Sequence, residues 1–243
     1  MRYECRSYTV GELTVDQRER MLDILSESFV NVTREEFLDD LHRKDLVFLS
    51  SDPQTKAVVG FSTQKIISLR DGSQLVFSGD TIVAPSAWGS LDLPRAWGHW
   101  MLELKDQRPD KPLYWLLISK GHRTYRFLST YFEDFAPSRG RTYSPEEEEV
   151  IVEAASILFD RGIVKTSLGH YLLPHLEHSQ FLAPQLQSQH PRRMLHPEIE
   201  FFTRANPDYT KGSELICLLN YSVENMLPFC KRMLRVDEGT RRS

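Results

Sequence analysis

Apolar residues recur at helical spacing in two segments near the start of the chain. Thr14 and Gln17 form a capping-box pattern, and the apolar positions after them predict a first helix from about Val15 to about Phe29. A second capping pattern begins at Thr33, and its apolar stripe predicts a short helix that stops at the polar residues 43–45. The chain therefore opens with two helices.

Three runs of β-type patterning follow in close succession. They are Leu46–Leu49, Ala57–Ser68 and Gln74–Val83, and the turn dipeptides Asp52-Pro53 and Asp71-Gly72 separate them. Because short turns join strands that run in opposite directions, we expect an antiparallel meander.

An amphipathic helix and an unbroken apolar strand come next. Asp92 is a suitable N-cap, Pro94 fits the first helical turn, and Pro109 lies beyond the last periodic position. The run Leu113–Ile118 has the continuous apolar character of a strand covered on both faces. Since a helical crossover precedes it, this strand is predicted to lie parallel to the previous one. A further helix is expected from about Thr124 to about Phe132.

The second half of the chain is less regular. Ser144 and the glutamates after it predict a helix over residues 145–161. Residues 170–197 contain four prolines and little periodicity, which indicates a long insertion or lid. Residues 201–207 resemble a strand end and a turn, since Phe201-Phe202 is soon followed by Asn-Pro.

A strand and a helix over residues 214–234 are predicted to close the fold. The strand begins at Glu214, and the helix runs from about Val223 to Leu234. We expect a core over residues 1–140 and a C-terminal elaboration over residues 141–243 that packs with it as one compact unit.

Composition and charge narrow the classes of function. The chain has 243 residues, 40% of them apolar, which is enough to bury a full core. A net charge of -4 argues against a nucleic-acid partner held by a general electrostatic field. Cys5, Cys217 and Cys230 lack metal-ligand spacing, which favours reduced thiols in the cytoplasm. No run approaches the roughly 18 apolar residues of a membrane span, and the first residues lack an apolar signal core.

The strand that ends at Val83-Ala-Pro85 and the order of elements over roughly residues 3 to 136 resemble the acyl-CoA N-acyltransferase (GNAT) superfamily. That order is two helices, three antiparallel strands, a helix, a parallel strand and a helix. The resemblance implies an α/β fold with a GNAT-like mixed central sheet flanked by helices, here with a C-terminal helical and loop elaboration. The closing strands of the family are expected in the C-terminal part, for example in the run beginning at Glu214.

The loop after this strand departs from the family pattern. The family has Arg or Gln followed by small residues, whereas this chain has Trp88 at the first position and Leu91 and Leu93 at the later ones. Bulky side chains and the charge of Asp92 disfavour a bound diphosphate. The resemblance implies an acyl-CoA cosubstrate, or an acyl group on the phosphopantetheine of acyl carrier protein, a donor that some members of the superfamily use.

Candidate catalytic residues lie on the third strand and on the helix after the parallel strand. Asp80 is the candidate base, because a carboxylate in an apolar strand either faces a cleft or is buried at high cost. The alternative is that Asp80 caps a turn or accepts backbone hydrogen bonds. Tyr125 and Tyr131 occupy the neighbourhood of the tyrosine that protonates the thiolate in the family, and their alternative role is core packing.

Two loops supply candidate residues for binding the donor. The first offers Val83, Trp88, Gly89 and Ser90, and the second offers Ser119, Lys120 and Arg123. The second loop follows the buried parallel strand, where ligands of α/β sheets gather, and its cations suit a coenzyme A phosphate or the acidic face of a carrier protein. The alternative is a solvated helix start.

The sequence therefore predicts transfer of an acyl group from a thioester to an amine of a small molecule. The main alternative is a GNAT-like protein without catalytic activity that binds a small molecule or a protein partner in the same cleft. Five histidines lie in or next to the proline-rich insertion, but their spacing matches no metal-ligand pattern, so we expect no metal site. They are His170, His175, His178, His190 and His196.

Overall fold

A computed structural model describes residues 3–187 and 196–236. Its strands are β1 (Glu4–Thr9), β2 (Phe29–Val30), β3 (Leu46–Ser51), β4 (Val58–Ser68), β5 (Gln74–Val83), β6 (Leu113–Ser119), β7 (Val164–Lys165), β8 (Tyr171–Leu173), β9 (Phe181–Leu182) and β10 (Glu214–Asn220). Its helices are α1 (Val15–Ser28), α2 (Arg34–His42), α3 (Asp92–Asp106), α4 (His122–Tyr131), α5 (Pro145–Leu158), α6 (Pro184–Gln187), α7 (Pro197–Ala205) and α8 (Pro228–Leu234). No helix among these residues is long and apolar enough to cross a membrane.

Eight of the strands form one mixed sheet in the order β1-β3-β4-β5-β6-β10-β8-β7. Neighbours are antiparallel except β5 and β6, which pair in parallel from Gln74 with Leu113 to Ser78 with Leu117. The predicted meander, the parallel strand after a helical crossover and the mixed central sheet are confirmed. The expected strand beginning at Glu214 is present as β10, and it pairs with β6. Strands β2 and β9 form a separate two-stranded ribbon.

The sheet is covered on both faces because the flanking helices carry apolar stripes. One core cluster joins α1 and α2 to the sheet through residues such as Leu25, Phe37 and Phe61. A larger cluster joins α3 and α4 to it and includes Trp97 and Trp115. The predicted capping patterns of the helices that begin after Thr14 and Ser144 are both present as reciprocal hydrogen bonds. The capping residues in the sequence therefore mark the starts of helices whose apolar faces are buried.

Several element boundaries differ from the predictions. Helix α5 ends at Leu158 instead of continuing to residue 161. Helix α8 begins at Pro228 instead of Val223, because the preceding segment is tied to the chain after α4. There the side-chain amide of Asn225 donates to the carbonyl of Asp134 at 2.8 Å. This hydrogen bond holds the segment in a conformation that is not helical.

The prediction of a strand end at Phe201-Phe202 is wrong, since both residues belong to α7, whereas the turn predicted at Asn206-Pro207 is present after that helix. His196 caps this helix by accepting a hydrogen bond from the amide of Glu198, and Pro197 occupies the first helical position. The proline thus starts a helix where we expected irregular chain. Within the predicted insertion, β8 pairs with β10 and β9 pairs with β2, while residues 188–195 lie outside the described residues.

Candidate active site

The parallel pairing of β5 and β6 stops before either strand ends. The last pair is Ser78 with Leu117. At the same level on the other side of β5, Gly79 and Asp80 lie opposite the single residue Thr63 of β4, which makes a β-bulge. A bulge changes the direction in which side chains point, and here it coincides with the place where the two central strands part.

A cavity of about 770 Å³ opens at this place. Asp80, Lys120 and Glu214 contribute to its polar lining, and Phe29 and Phe37 are among its apolar lining residues. The other walls come from α2, the end of α5 and the segment that leads into β9. The volume is in the range of small-molecule sites, and apolar walls with a few convergent polar groups are typical of them.

Asp80 carries an unpartnered carboxylate in this cavity. No hydrogen bond or ion pair from residues 3–187 or 196–236 reaches it, so the structure does not show the turn-capping alternative. Burial, and after it the negative charge of Asp40, raises the pKa of Asp80 to about 6. Lys120 and Lys44 act in the opposite direction, and Glu214 adds to the increase. A carboxylate of this kind ionises just below neutral pH.

The first charge cluster beside Asp80 comes from α2 and the residues just after it. The buried ammonium group of Lys44 pairs with the Asp40 carboxylate and donates to the Asp40 carbonyl at 3.2 Å. Its Nζ also lies 5.6 Å from the centre of the Phe77 ring. A Cβ placed on Gly79 would lie 2.7 Å from Lys44 Cε, so the absence of a side chain at Gly79 lets Lys44 approach the bulge.

The second cluster is centred on Glu214, the first residue of β10. This side chain is almost fully buried, and its carboxylate lies 3.3 Å from Arg161 and 3.7 Å from Lys120. Burial raises the pKa of Glu214, and the two cations oppose that increase. Sequence analysis missed the roles of Lys44, Arg161 and Glu214 in this site. The signal used for Asp80, an acid next to an apolar strand, was also present at Glu214.

The first predicted donor loop lies outside the cavity lining. Trp88 is 52% exposed, and its Nε1 donates to the carbonyl of Val83 at 2.8 Å. Gly89 adopts a positive φ of 85°, which a turn requires here. Ser90 Oγ donates to the carboxylate of Asp92 at 2.9 Å. The loop is ordered by its own contacts.

The same loop leads to the N-terminus of α3, where Asp92 is the first helical residue rather than the predicted N-cap. Its carboxylate accepts a hydrogen bond from the amide of Tyr3 at 2.9 Å and forms an ion pair with Arg95 at 3.5 Å. A carboxylate of the chain itself therefore lies where a helix N-terminus would attract an anion. A diphosphate at this helix end would meet that negative charge.

In the second predicted donor loop, Lys120 alone among the three candidates lines the cavity. Ser119 is buried, and its hydroxyl donates to the carbonyl of Gly121 at 2.9 Å. Arg123 is exposed in the first turn of α4. Its guanidinium carbon lies 4.8 Å from the centre of the Trp88 ring. The structure thus brings together Asp80 with Lys120, and Trp88 with Arg123.

The two candidate tyrosines pack in the core away from the cavity lining. The hydroxyl of Tyr125 donates to the carbonyl of Pro137 at 3.1 Å, and burial raises its pKa well above the usual range. The ring of Tyr131 stacks on Phe127 with centroids 4.0 Å apart, and burial raises its pKa to about 12. This placement favours core packing, the alternative given for both residues.

Most of the histidines of the predicted insertion lie in described residues, and His178 lines the cavity. Within the described ranges no three side chains of His, Cys, Asp or Glu converge as a metal site would require. His190 lies outside these ranges.

No family model matches the chain, and no curated protein matches it. Among solved structures, an acetyltransferase from Trypanosoma brucei is 16% identical, with 58% of this chain and 96% of that chain covered and a TM-score of 0.39. ElaA from Escherichia coli is 18% identical, with coverages of 57% and 94% and a TM-score of 0.36. YhbS, a GNAT family N-acetyltransferase from Escherichia coli in complex with CoA, is 13% identical, with coverages of 54% and 69% and a TM-score of 0.39. Because these identities and scores are low, any assignment of function depends on the cavity and its residues.

Proposed function

We propose that this protein transfers an acyl group from a thioester donor to an amine of a small molecule held in the cavity, and that Asp80 is the base. The observation that carries the proposal is the unpartnered carboxylate of Asp80 at the point where β5 and β6 part. An ammonium group must lose a proton before its nitrogen attacks a thioester. With a pKa of about 6, Asp80 is ionised at neutral pH and still able to accept that proton.

The reaction follows from this placement. The ammonium group of the acceptor gives a proton to the Asp80 carboxylate, and the neutral nitrogen attacks the thioester carbonyl carbon. The carbon–nitrogen bond forms, the carbon–sulfur bond breaks, and the second proton that the nitrogen loses passes through water to the thiolate that leaves. Lys44 and Lys120 stabilise the charged form of Asp80 and so lower its pKa. Asp40 and Glu214 raise that pKa, which keeps Asp80 basic enough to accept the proton.

The donor is an acyl-CoA or an acyl group on the phosphopantetheine of a carrier protein. Asp92 at the start of α3 supports the second donor, because carrier-bound phosphopantetheine has no adenosine diphosphate to place beside that carboxylate. The exposed Arg123 supports the same choice, since a carrier protein would offer it an acidic surface.

Binding of a small molecule without catalysis is a second candidate function. The contact between Arg123 and Trp88 favours it, because this contact joins the loop after β5 to α4 at the side where a donor arm would pass between the strands. In that case the cavity would take an amine, and no thioester would reach it.

Product analysis by mass spectrometry tests the proposal. The protein is incubated with a pool of amines and, in separate reactions, with acetyl-CoA, a long-chain acyl-CoA and acylated carrier protein. We expect a new N-acyl amine and one equivalent of free thiol with at least one donor. Asp39→Asn, which changes an exposed carboxylate of α2 outside the cavity lining, serves as the control and retains the activity. Amine binding without product from any donor would instead support the second candidate.

A further inference from the structure

Every lysine and arginine that lines the described part of the cavity already has a carboxylate partner. Lys44 pairs with Asp40, and both Lys120 and Arg161 pair with Glu214. The two remaining cations pair in the same way, Lys65 with Asp45 at 2.8 Å and Arg43 with Asp160. A carboxylate or phosphate on the acceptor would therefore compete with an existing partner for any of these cations.

Three carboxylates of the lining have no such partner. They belong to Asp80, Glu36 and Glu177, and within residues 3–187 and 196–236 no lysine or arginine forms an ion pair with them. Glu36 accepts a hydrogen bond from the hydroxyl of Thr33 at 2.9 Å, which leaves its charge uncompensated. Because Glu214 is shared by two cations, the six carboxylates of the described lining together with Asp45 face five lysines and arginines. The excess charge is negative, and it favours a ligand with more than one positive charge.

These carboxylates lie at different depths. Asp80 is adjacent to Gly79, against which Lys44 packs. Glu36 lies in the first turn of α2, whereas Lys44 follows the opposite end of that helix. Glu36 and Glu177 are both exposed, so they lie at the rim of the cavity. Asp80 is therefore less exposed than the two carboxylates at the rim.

The surface around these charges is apolar. Phe29, Phe37, Leu176 and Leu182 line the cavity together with the charged residues. Methylene groups pack favourably against such side chains. The lining therefore suits a chain of methylene groups that carries separated amines.

We propose that the acceptor is a linear aliphatic polyamine. A terminal amine gives its proton to Asp80 and receives the acyl group, while the other ammonium groups lie near Glu36 and Glu177. Acylation removes one positive charge, and that loss weakens the product's binding and favours its release. The role of the polyamine as acyl acceptor rests on the proposed function. The preference of the cavity for polyamines can be measured without any donor.

Calorimetric binding to the full chain in the absence of donor tests the preference. The probes are butylamine, 1,4-diaminobutane, spermidine and lysine. We expect affinity to increase from the monoamine to the triamine and to fall with added salt, and we expect lysine to bind more weakly than the diamine because of its carboxylate. Glu36→Gln and Glu177→Gln should each weaken spermidine binding by about two- to five-fold and leave butylamine binding unchanged.

Glu35→Gln is the matched control, because Glu35 is an exposed neighbour of Glu36 that does not line the cavity. Equal affinity for spermidine and butylamine would overturn the inference, as would equal effects of the Glu35 and Glu36 substitutions. The proposed function would survive either result if another amine were acylated. Conversely, charge-dependent spermidine binding without transfer from any donor would overturn the proposed function and retain the polyamine as a ligand.

Discussion

The guanidinium carbon of Arg123 lies 4.8 Å from the centre of the Trp88 ring, and this contact joins the loop after β5 to the first turn of α4. The indole nitrogen of Trp88 is held by the carbonyl of Val83, so the ring is fixed against its own strand. The two loops that sequence analysis selected for donor binding therefore contact each other. A donor arm that enters between the ends of β5 and β6 would have to push these two loops apart or pass beside them.

Arg123→Ala is expected to expose the face of Trp88. Since Trp97 and Trp115 are buried, acrylamide should quench more of the tryptophan fluorescence in this variant than in the unsubstituted protein. A cation–π contact at an exposed site is worth about 0.5–1 kcal/mol, so the free energy of unfolding should change little. The control is Arg70→Ala, because Arg70 pairs with Glu153 outside this contact. Equal quenching in both variants would show that Arg123 does not shield the ring.

Asp80→Asn is expected to stabilise the protein above pH 6 and to have no such effect near pH 4. Burial raises the pKa of Asp80 from 3.8 to about 6, so the folded protein binds this proton more tightly than the unfolded chain does. The stability that the protonated group contributes is lost as pH rises through about 6, and asparagine avoids that loss. We expect a gain of about 2 kcal/mol at pH 8, measured by denaturant unfolding.

The charges that face Asp80 are those of Asp40 from α2, Lys44 just after α2, Lys120 after β6 and Glu214 from β10. Asp39→Asn, on the exposed side of α2, is the control for the pH experiment. A gain in stability that is the same at both pH values would contradict a raised pKa for Asp80.

Lys120→Met should move the acidic limb of the pH–rate profile to higher pH. The ammonium group of Lys120 favours the charged form of Asp80, and its removal also leaves Glu214 with Arg161 as its remaining ion pair. We expect a shift of about one pH unit in kcat/KM. Lys56→Met removes a cation that pairs with Glu4 far along the sheet edge and should leave the limb in place. A shift to lower pH would contradict the assigned charges.

Gly79→Ala should destabilise the protein and lower its activity together. The new Cβ would lie 2.6 Å from Thr63 Oγ1 and 2.7 Å from Lys44 Cε, so the bulge or the buried lysine must move. Overpacking of this kind costs about 1–3 kcal/mol, which thermal unfolding would detect. Gly11→Ala is a matched control because no atom lies within 4 Å of its added Cβ. Retention of full stability in the Gly79 variant would show that the bulge is not closely packed.

Much of the sheet could be predicted because its strands carry long apolar patterns and sharp turn signals. The edge strand β1 lacked that signal, since most of Glu4–Thr9 is exposed and polar. Helix α7 was missed because Pro197 was interpreted as a break, although proline is equally suited to the first turn of a helix.

Asp80 could be selected from sequence because a carboxylate inside an apolar strand needs a physical reason. Lys44 and Arg161 could not be selected, because only the packing of α2 and α5 against the sheet brings them to the cavity. The helix that carries Tyr125 could be predicted, but the direction in which this tyrosine points could not. Its hydroxyl donates to the carbonyl of Pro137 and does not reach the cavity.

The rate of acyl transfer by Asp80→Asn tests the central claim most directly. The variant is compared with the unsubstituted protein between pH 5 and pH 9, a range that contains the expected limb near pH 6, with the donor and amine identified by product analysis. If Asp80 is the base, kcat/KM falls by about 100-fold or more and the limb near pH 6 disappears, while the folded state remains. An unchanged rate with the same pH profile would contradict this role for Asp80.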